Sequence, residues 1–338
     1  MTESPPTDLD IAILLPCYNE AQSIARVIID FRKALPGTRI FVFDNNSTDA
    51  TAEQAARAGA TVIPCRRQGK GNVVRQMFAD IDADIYLMAD GDGTYDASAA
   101  STMIERLIND RADMLVATRR DVTKDAGRTG HAFGNKLFNT LYRFIFKADF
   151  SDIFSGYRVF SRRFAKSFPA DSQGFEIETE MSVHASMLRL TVSEIDVPYG
   201  RREEGSQSKL STFKDGFKIL IMMMTLMKET RPFRFFGAIA LFLGVTSMAF
   251  MIPVVTEYFQ TGLVERMPTW VLAMTLLLGA MMALMAGTIL DSVARARAEQ
   301  KRNFFLSIDP VIERRPSADA RADTLIDERP SLSTINER

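Results

Sequence analysis

The sequence predicts an α/β domain with a doubly wound, mostly parallel sheet, followed by an amphipathic helix and a two-helix membrane hairpin. Three observations predict this. Short apolar strands alternate with amphipathic helices from about Leu9 to Lys209. Two later runs, Phe235 to Thr256 and Pro268 to Leu290, continue for 22 and 23 residues without a charge. Between the two regions, apolar residues recur at helical spacing with lysines elsewhere around the helix.

In chain order, the strands are expected at IAILLP from Ile11, IFVFD from Ile40, ATVIP from Ala60, IYLMAD from Ile85 and MLVAT from Met114. Helices are expected near Glu20 to Ala34, Asp49 to Ala58, Asn72 to Ile81, Ser98 to Asn109 and Phe175 to Leu190. In a sheet of this kind ligands bind beyond the carboxyl ends of the strands. The polar residues after each strand are therefore where chemistry is sought. They are Pro16-Cys17-Tyr18-Asn19-Glu20, Asp44-Asn45-Asn46-Ser47-Thr48-Asp49 and Asp90-Gly91-Asp92-Gly93-Thr94-Tyr95.

Asp90 and Asp92, two apart at a strand end, can direct oxygens to one hard cation, Mg²⁺ or Mn²⁺. Such a cation neutralises charge on a departing diphosphate. Gln68-Gly69-Lys70-Gly71-Asn72 precedes a helix, where free N–H groups and the Lys70 ammonium suit a phosphate. The spacing excludes a P-loop.

The three motifs, in order at successive strand ends, resemble glycosyltransferase family 2, which has the inverting GT-A fold. The hairpin is similar to that of the polyprenyl-phosphate branch, which includes dolichol-phosphate mannose synthase and its bacterial relatives. The resemblance implies a nucleotide diphosphate-sugar donor, with Asp44 accepting from the base, Pro16 or Tyr18 packing against it, and Glu20 holding base or ribose. Asn46, Lys70 and Asp90 fall on the donor side, and Asp92 is the catalytic metal ligand paired with Asp90. A glutamine often stands where this chain has Thr94, which leaves a third protein ligand open. Asn46, Ser47 and Asp49 serve equally well as caps of the next helix. ATRR with Arg119, the downstream Arg128, SGYR with Arg158, and R-x-x-G-S-x-S-K with Arg202, Ser208 and Lys209 resemble acceptor-phosphate elements of that branch.

A hydroxyl acceptor needs a protein base. A phosphomonoester, with its second pKa near 6, is already largely dianionic at neutrality and needs cations to hold it. That suits a chain with two histidines, His131 and His184, both read as structural. Of the carboxylates in Phe175 to Glu180, Glu176 and Glu180 share a helix face and Glu178 does not. Cys17 reads as packing.

Lysines and arginines flank the hairpin on both sides, from Lys209 to Arg234 and from Arg295 to Arg302. The link from Glu257 to Met267 holds only Arg266. This bias places the link outside, with the catalytic domain and both termini cytoplasmic, in a multi-pass protein of the inner membrane. Phe213 to Arg231 is expected to lie in the interface. Gly279, Ala280, Ala283, Ala286 and Gly287 would let the two spans pack closely. The acidic first residues lack the pattern of a secretory signal. The expected division is a tail over 1–8, the GT-A domain over 9–210, the amphipathic helix over 211–232, spans over 233–257 and 267–290, and a polar tail over 291–338.

Composition alone describes an average chain, with 338 residues, 41 Lys+Arg against 42 Asp+Glu, and 46% hydrophobic residues. The charge balance argues against nucleic acid as a partner. The average hides segregation, since 11 of the 18 methionines lie between Met222 and Met285. The leading expectation is transfer of one sugar to a polyprenyl phosphate, with a UDP-sugar as donor and self-association through the hairpin left open. Competing readings are a family 2 enzyme acting on a glycan or lipid-linked saccharide hydroxyl, and a catalytically silent nucleotide-sugar-binding scaffold.

Overall fold

The computed structural model describes residues 9–120, 151–172, 174, 176–200, 221 and 224–311. Arg128, His131, Arg202, Ser208, Lys209, most of the amphipathic stretch and the tail from 312 lie outside the described residues.

The elements run β1 (Ile11–Cys17), α1 (Ile24–Ala34), β2 (Arg39–Asp44), α2 (Thr51–Arg57), β3 (Thr61–Pro64), α3 (Lys70–Asp80) and β4 (Ile85–Met88). A short 3₁₀ turn (Ala97–Ala99) leads into α4 (Ala100–Asn109), then β5 (Met114–Arg120). After these come β6 (Arg158–Ser161), α5 (Arg162–Ser167), α6 (Ile177–Leu188), β7 (Val192–Pro198), α7 (Pro232–Thr261) and α8 (Met267–Leu306). The five anticipated strands are all present. β6, α5 and β7 were not anticipated, because β6 is four residues long and begins with arginine, while β7 carries Glu194 and Asp196.

One seven-stranded sheet has the order β3-β2-β1-β4-β6-β5-β7. Its pairings are parallel except at β6, which runs antiparallel to both β4 and β5. Both faces are covered, so the strands read as continuous apolar runs. In β1, Ala12 and Leu14 enter one core with α3, α5 and α6, while Ile11, Ile13, Leu15 and Cys17 enter the other with α1 and α4. The register pairs Cys17 with Asp44 and Asp44 with Pro64. The first three strands therefore end together, which gathers their following loops at one edge.

α7 and α8 are long and apolar enough to cross a membrane, with mean hydropathy of 2.2 and 2.0 over their most apolar windows. Leu241, Phe242 and Phe259 are more than two-thirds exposed, a surface that only lipid or protein would cover. Of the anticipated small residues, Gly279, Ala280 and Gly287 lie at the contact between the helices. A Cβ on Gly287 would come within 3.1 Å of Phe236 Cβ, and Ala280 is buried. Ser247 Oγ donates across the pair to the Ala273 carbonyl at 2.7 Å.

α8 does not stop at Leu290. It continues through DSVARARAEQKRNFFL to Leu306, with Asp291 and Arg295 one turn apart at 3.3 Å. Its 40 residues span about 60 Å, roughly twice a hydrocarbon core. The extra turns return to the α/β domain. Phe305 is buried beneath Arg163, whose guanidinium lies 4.7 Å from the ring centre, and Arg302 donates to the Leu188 carbonyl at 2.5 Å. The first part of the region expected to be a polar tail is thus a packed helix.

Candidate active site

Three loops at the strand ends are tied by side chains into one edge. Asn19, in the left-handed region at φ +54°, accepts from the Thr48 amide at 2.8 Å, while its own amide donates to Ser47 Oγ at 2.9 Å. The Glu20 amide donates to Thr51 Oγ1 at 2.8 Å. Burial alone would raise the Asp49 carboxyl, but hydrogen bonds from the Thr51 hydroxyl and from the amides of Ala21 and Thr51 together outweigh it and hold it below the usual range. Buried Asn45 accepts from the Gly69 amide at 2.7 Å and donates to the Arg67 carbonyl at 2.7 Å, fixing the entry to α3. Asn46 spends its side-chain nitrogen on the Arg66 carbonyl and on Gln68. Asn45, Asn46 and Asp49 thus brace the loops.

Asp44 differs from these bracing residues. Its Oδ1 is enclosed and accepts no hydrogen bond within the protein. An unfilled acceptor there costs free energy until a donor arrives, so the site suits a ligand N–H. Pro16, Tyr18 and Glu20, at the neighbouring strand end, are partly exposed. Cys17 and Cys65 are buried and form no disulfide. Burial, aided by Asp80 and Asp44, pushes the Cys65 thiol up to about 12, and a Cβ on Gly91 would lie 2.4 Å from Cys17 Sγ. Both cysteines pack the loops.

The loop after β4 carries the carboxylates. Asp90 Oδ1 meets Lys70 Nζ at 2.5 Å, and a Cβ on Gly156 would lie 2.7 Å from Asp90 Oδ2, so only glycine leaves that oxygen room. Asp92 is buried, and its Oδ1 accepts from the Thr94 amide at 3.1 Å and hydroxyl at 2.6 Å. Thr94 therefore orients Asp92. Among the described residues, no third His, Cys, Asp or Glu completes a metal cluster. The donor set fits a hard cation held by two carboxylates, with remaining positions left for a ligand's own oxygens.

Lys70, the first residue of α3, also meets Glu178 Oε1 at 2.5 Å. Burial alone would depress the ammonium, but Asp90 and Glu178 outweigh it and raise it above its ordinary value. Burial raises the Glu178 carboxyl and Asp90 adds to this, against the attraction of Lys70. The other two glutamates of the segment serve the backbone. Glu180 accepts from the amides of Asp171 and Ser172 at 2.8 Å each, and Glu176 accepts from Gly174 at 3.1 Å. His184 is buried between Phe164 and Phe168, with Ser167 Oγ 3.3 Å from Nε2, in the structural role expected of it.

Near the end of β5, Arg119 is clamped in two bonds by Asp152 at 2.6 and 2.9 Å and lies over the Tyr199 ring. Burial opposes both charges, yet each holds the other: the arginine is raised and the Asp152 carboxyl lowered. Tyr95 Oη accepts from the Gly156 amide at 2.9 Å, and the Gly200 amide donates to the Thr94 carbonyl at 2.8 Å. The chain thus leaves β7 against the carboxylate loop. Arg158 corrects an expectation. It is wholly buried, with its guanidinium on the carbonyls of Ser155 and Ile153 and on Ser182 Oγ, so it holds the core and offers nothing to an acceptor phosphate.

A seven-stranded mixed α/β sheet, with its motif-bearing loops gathered at one edge, is thus joined to an apolar helical hairpin. The family described as Glycosyl transferase family 2 matches residues 12–168. Glycosyltransferase AglJ of Haloferax volcanii is 33% identical over 300 residues, 88% of this chain and 98% of its own length. The dolichyl-phosphate hexose transferase of the same organism is 29% identical over 213 residues, covering 62% of this chain and 90% of that one. Among solved structures, glucosyl-3-phosphoglycerate synthase of Mycobacterium tuberculosis with Mn²⁺, UDP-glucose and phosphoglyceric acid superposes at a TM-score of 0.56. It is 18% identical and covers 65% of this chain and 80% of that chain, a likeness of fold. The chain belongs to glycosyltransferase family 2.

Proposed function

We propose that this family 2 transferase moves one sugar from a nucleotide diphosphate-sugar, with UDP-sugar favoured, to a polyprenyl phosphate at the cytoplasmic face of a membrane. One observation carries the choice of a phosphate acceptor. Glu176 and Glu180 are engaged by backbone N–H groups and Glu178 Oε1 by Lys70, which favours bracing roles over that of a base for a hydroxyl, while Glu178 Oε2 is enclosed without a partner among the described residues. A phosphomonoester is a dianion near neutral pH and needs no such base. The similarity to a dolichyl-phosphate hexose transferase and the two long apolar helices support the same acceptor class.

The roles assigned are those the motifs suggest, supported by their surroundings where the residues are described. Asp44 receives a base N–H on its enclosed Oδ1, and Pro16, Tyr18 and Glu20 border the nucleoside. Asp90 and Asp92 would hold Mg²⁺ or Mn²⁺, which supplies positive charge to the departing diphosphate. Lys70 keeps the ammonium beside Asp90 and adds to that charge. On the acceptor side, Arg119 with Arg128, Arg202, Ser208 and Lys209 draws the lipid phosphate to the sugar. Attack opposite the leaving diphosphate inverts the anomeric centre. With both termini on the same side as this domain, the reaction takes place at the cytoplasmic leaflet.

The test is a panel of radiolabelled nucleotide sugars with polyprenyl phosphate and divalent metal, followed by extraction of the lipid phase. Label in the lipid with one donor, lost on chelation, is the expected result. A silent panel with bound donor would favour the scaffold reading.

A further inference from the structure

Where α7 and α8 leave their apolar stretches, a cavity of about 350 Å³ opens between them and the C-terminal end of α6. Among the described residues its lining includes Arg189, Arg231, Arg234 and Arg295 and one acid, Asp291, which pairs with Arg295 at 3.3 Å. Each arginine is placed by the backbone. Arg189 caps α6 in the left-handed region at φ +53°, Arg231 caps the start of α7, Arg234 sits one turn on, and Arg295 lies one turn beyond Asp291 on α8. Burial lowers the Arg231 guanidinium, Arg234 and Arg189 lower it further, and Asp291 opposes them. Mutual crowding of cations in a partly enclosed space is relieved by an anion.

The location narrows the anion. Phe233, half exposed, lines the cavity on the side where the lipid-facing surface of α7 begins. Asp291 marks the end of the uncharged run of α8. The arginines therefore ring the level at which hydrocarbon gives way to headgroups. The cavity is also separate from the donor site. Glu178, beside Lys70, and Arg189 lie 11 residues apart along one helix, roughly 16 Å at helical rise.

We infer that this arginine-lined cavity binds the phosphate headgroup of an anionic glycerophospholipid in the leaflet facing the α/β domain. The inference depends on the hairpin lying in a membrane, and it is independent of which acceptor the enzyme uses. The headgroup would fasten the far end of α6 to the bilayer plane, and α6 carries Glu178 to the active site at its other end. Basic pockets between membrane helices take headgroups on these physical grounds.

The experiment uses the full chain in nanodiscs of phosphatidylcholine with and without phosphatidylglycerol, with retained lipid counted by native mass spectrometry. Phosphatidylglycerol should be retained, and Arg231→Gln/Arg234→Gln should weaken retention on the order of tenfold. Arg231→Lys/Arg234→Lys, which keeps the charge, should preserve most of it and exclude simple misfolding. Arg297→Gln, on α8 outside the lining, should change nothing. Millimolar inorganic phosphate should not displace the lipid. Equal retention by the Gln and Lys pairs, displacement by free phosphate, or retention of polyprenyl phosphate in place of phosphatidylglycerol would each overturn the inference.

Discussion

Lys70 Nζ stands 2.5 Å from Glu178 Oε1 and the same distance from Asp90 Oδ1, so one ammonium joins the start of α3, the start of α6 and the loop after β4. Removing it leaves the buried Glu178 carboxylate and the partly exposed Asp90 without the cation between them. Lys70→Met should cost about 3–5 kcal/mol, and Glu178→Gln on that background should recover part of the loss. Thermal unfolding of the four variants in detergent gives the cycle. Strictly additive shifts would mean that the two residues do not interact.

Asp92→Asn keeps an oxygen for Thr94 to bond and removes the charge. Transfer should fall by on the order of 10²-fold or more, while the melting temperature stays near that of the parent. Retained activity would remove Asp92 from the metal site.

The end of α8 is predicted to act as a strap. Phe305→Ala deletes a buried ring beneath Arg163, and a deletion of that size costs about 3–5 kcal/mol where the site cannot collapse. Amides from about residue 300 onward should then exchange hydrogen faster, with the core strands unaffected. Unchanged exchange there would show that the contact does not hold the helix down.

His184 gives a pH dependence. Burial, with Lys301 adding to it, lowers the imidazole to about 3 from an ordinary 6.5. Below pH 6.5 the unfolded chain binds a proton that the folded chain refuses. This contribution is therefore complete above about pH 6.5 and is lost as pH falls toward 3, by up to about 1.4 kcal/mol per pH unit. His184→Gln should flatten the decline of melting temperature between pH 6.5 and 5. An unchanged slope would place the acid sensitivity in other groups.

Much of this was legible in the sequence. Strands buried on both faces announce themselves as apolar runs, and the polar residues that follow them mark the ligand edge, which is why Asp44, Asp90 and Asp92 stood out. The helix beyond Leu290 was hidden because its polar residues read equally well as tail or solvated helix, and only Phe304-Phe305-Leu306 hints at packing. Arg158 misled because an arginine in a short motif gives no sign of burial; its neighbours in β6 are all apolar or small, and that was the available signal. Glu178 was set apart from Glu176 and Glu180 by helical spacing, yet spacing within one helix cannot reveal that Lys70, more than a hundred residues earlier, would meet it.

The central claim is transfer to a lipid phosphate. Its most direct test offers the purified enzyme, with its preferred donor, an equimolar choice of polyprenyl phosphate, the matching polyprenol and a lipid-linked saccharide, and identifies the product by mass and anomeric configuration. The account predicts a single product, the polyprenyl phosphosugar with inverted configuration. Transfer to a saccharide hydroxyl, with the polyprenyl phosphate left unglycosylated, would contradict it.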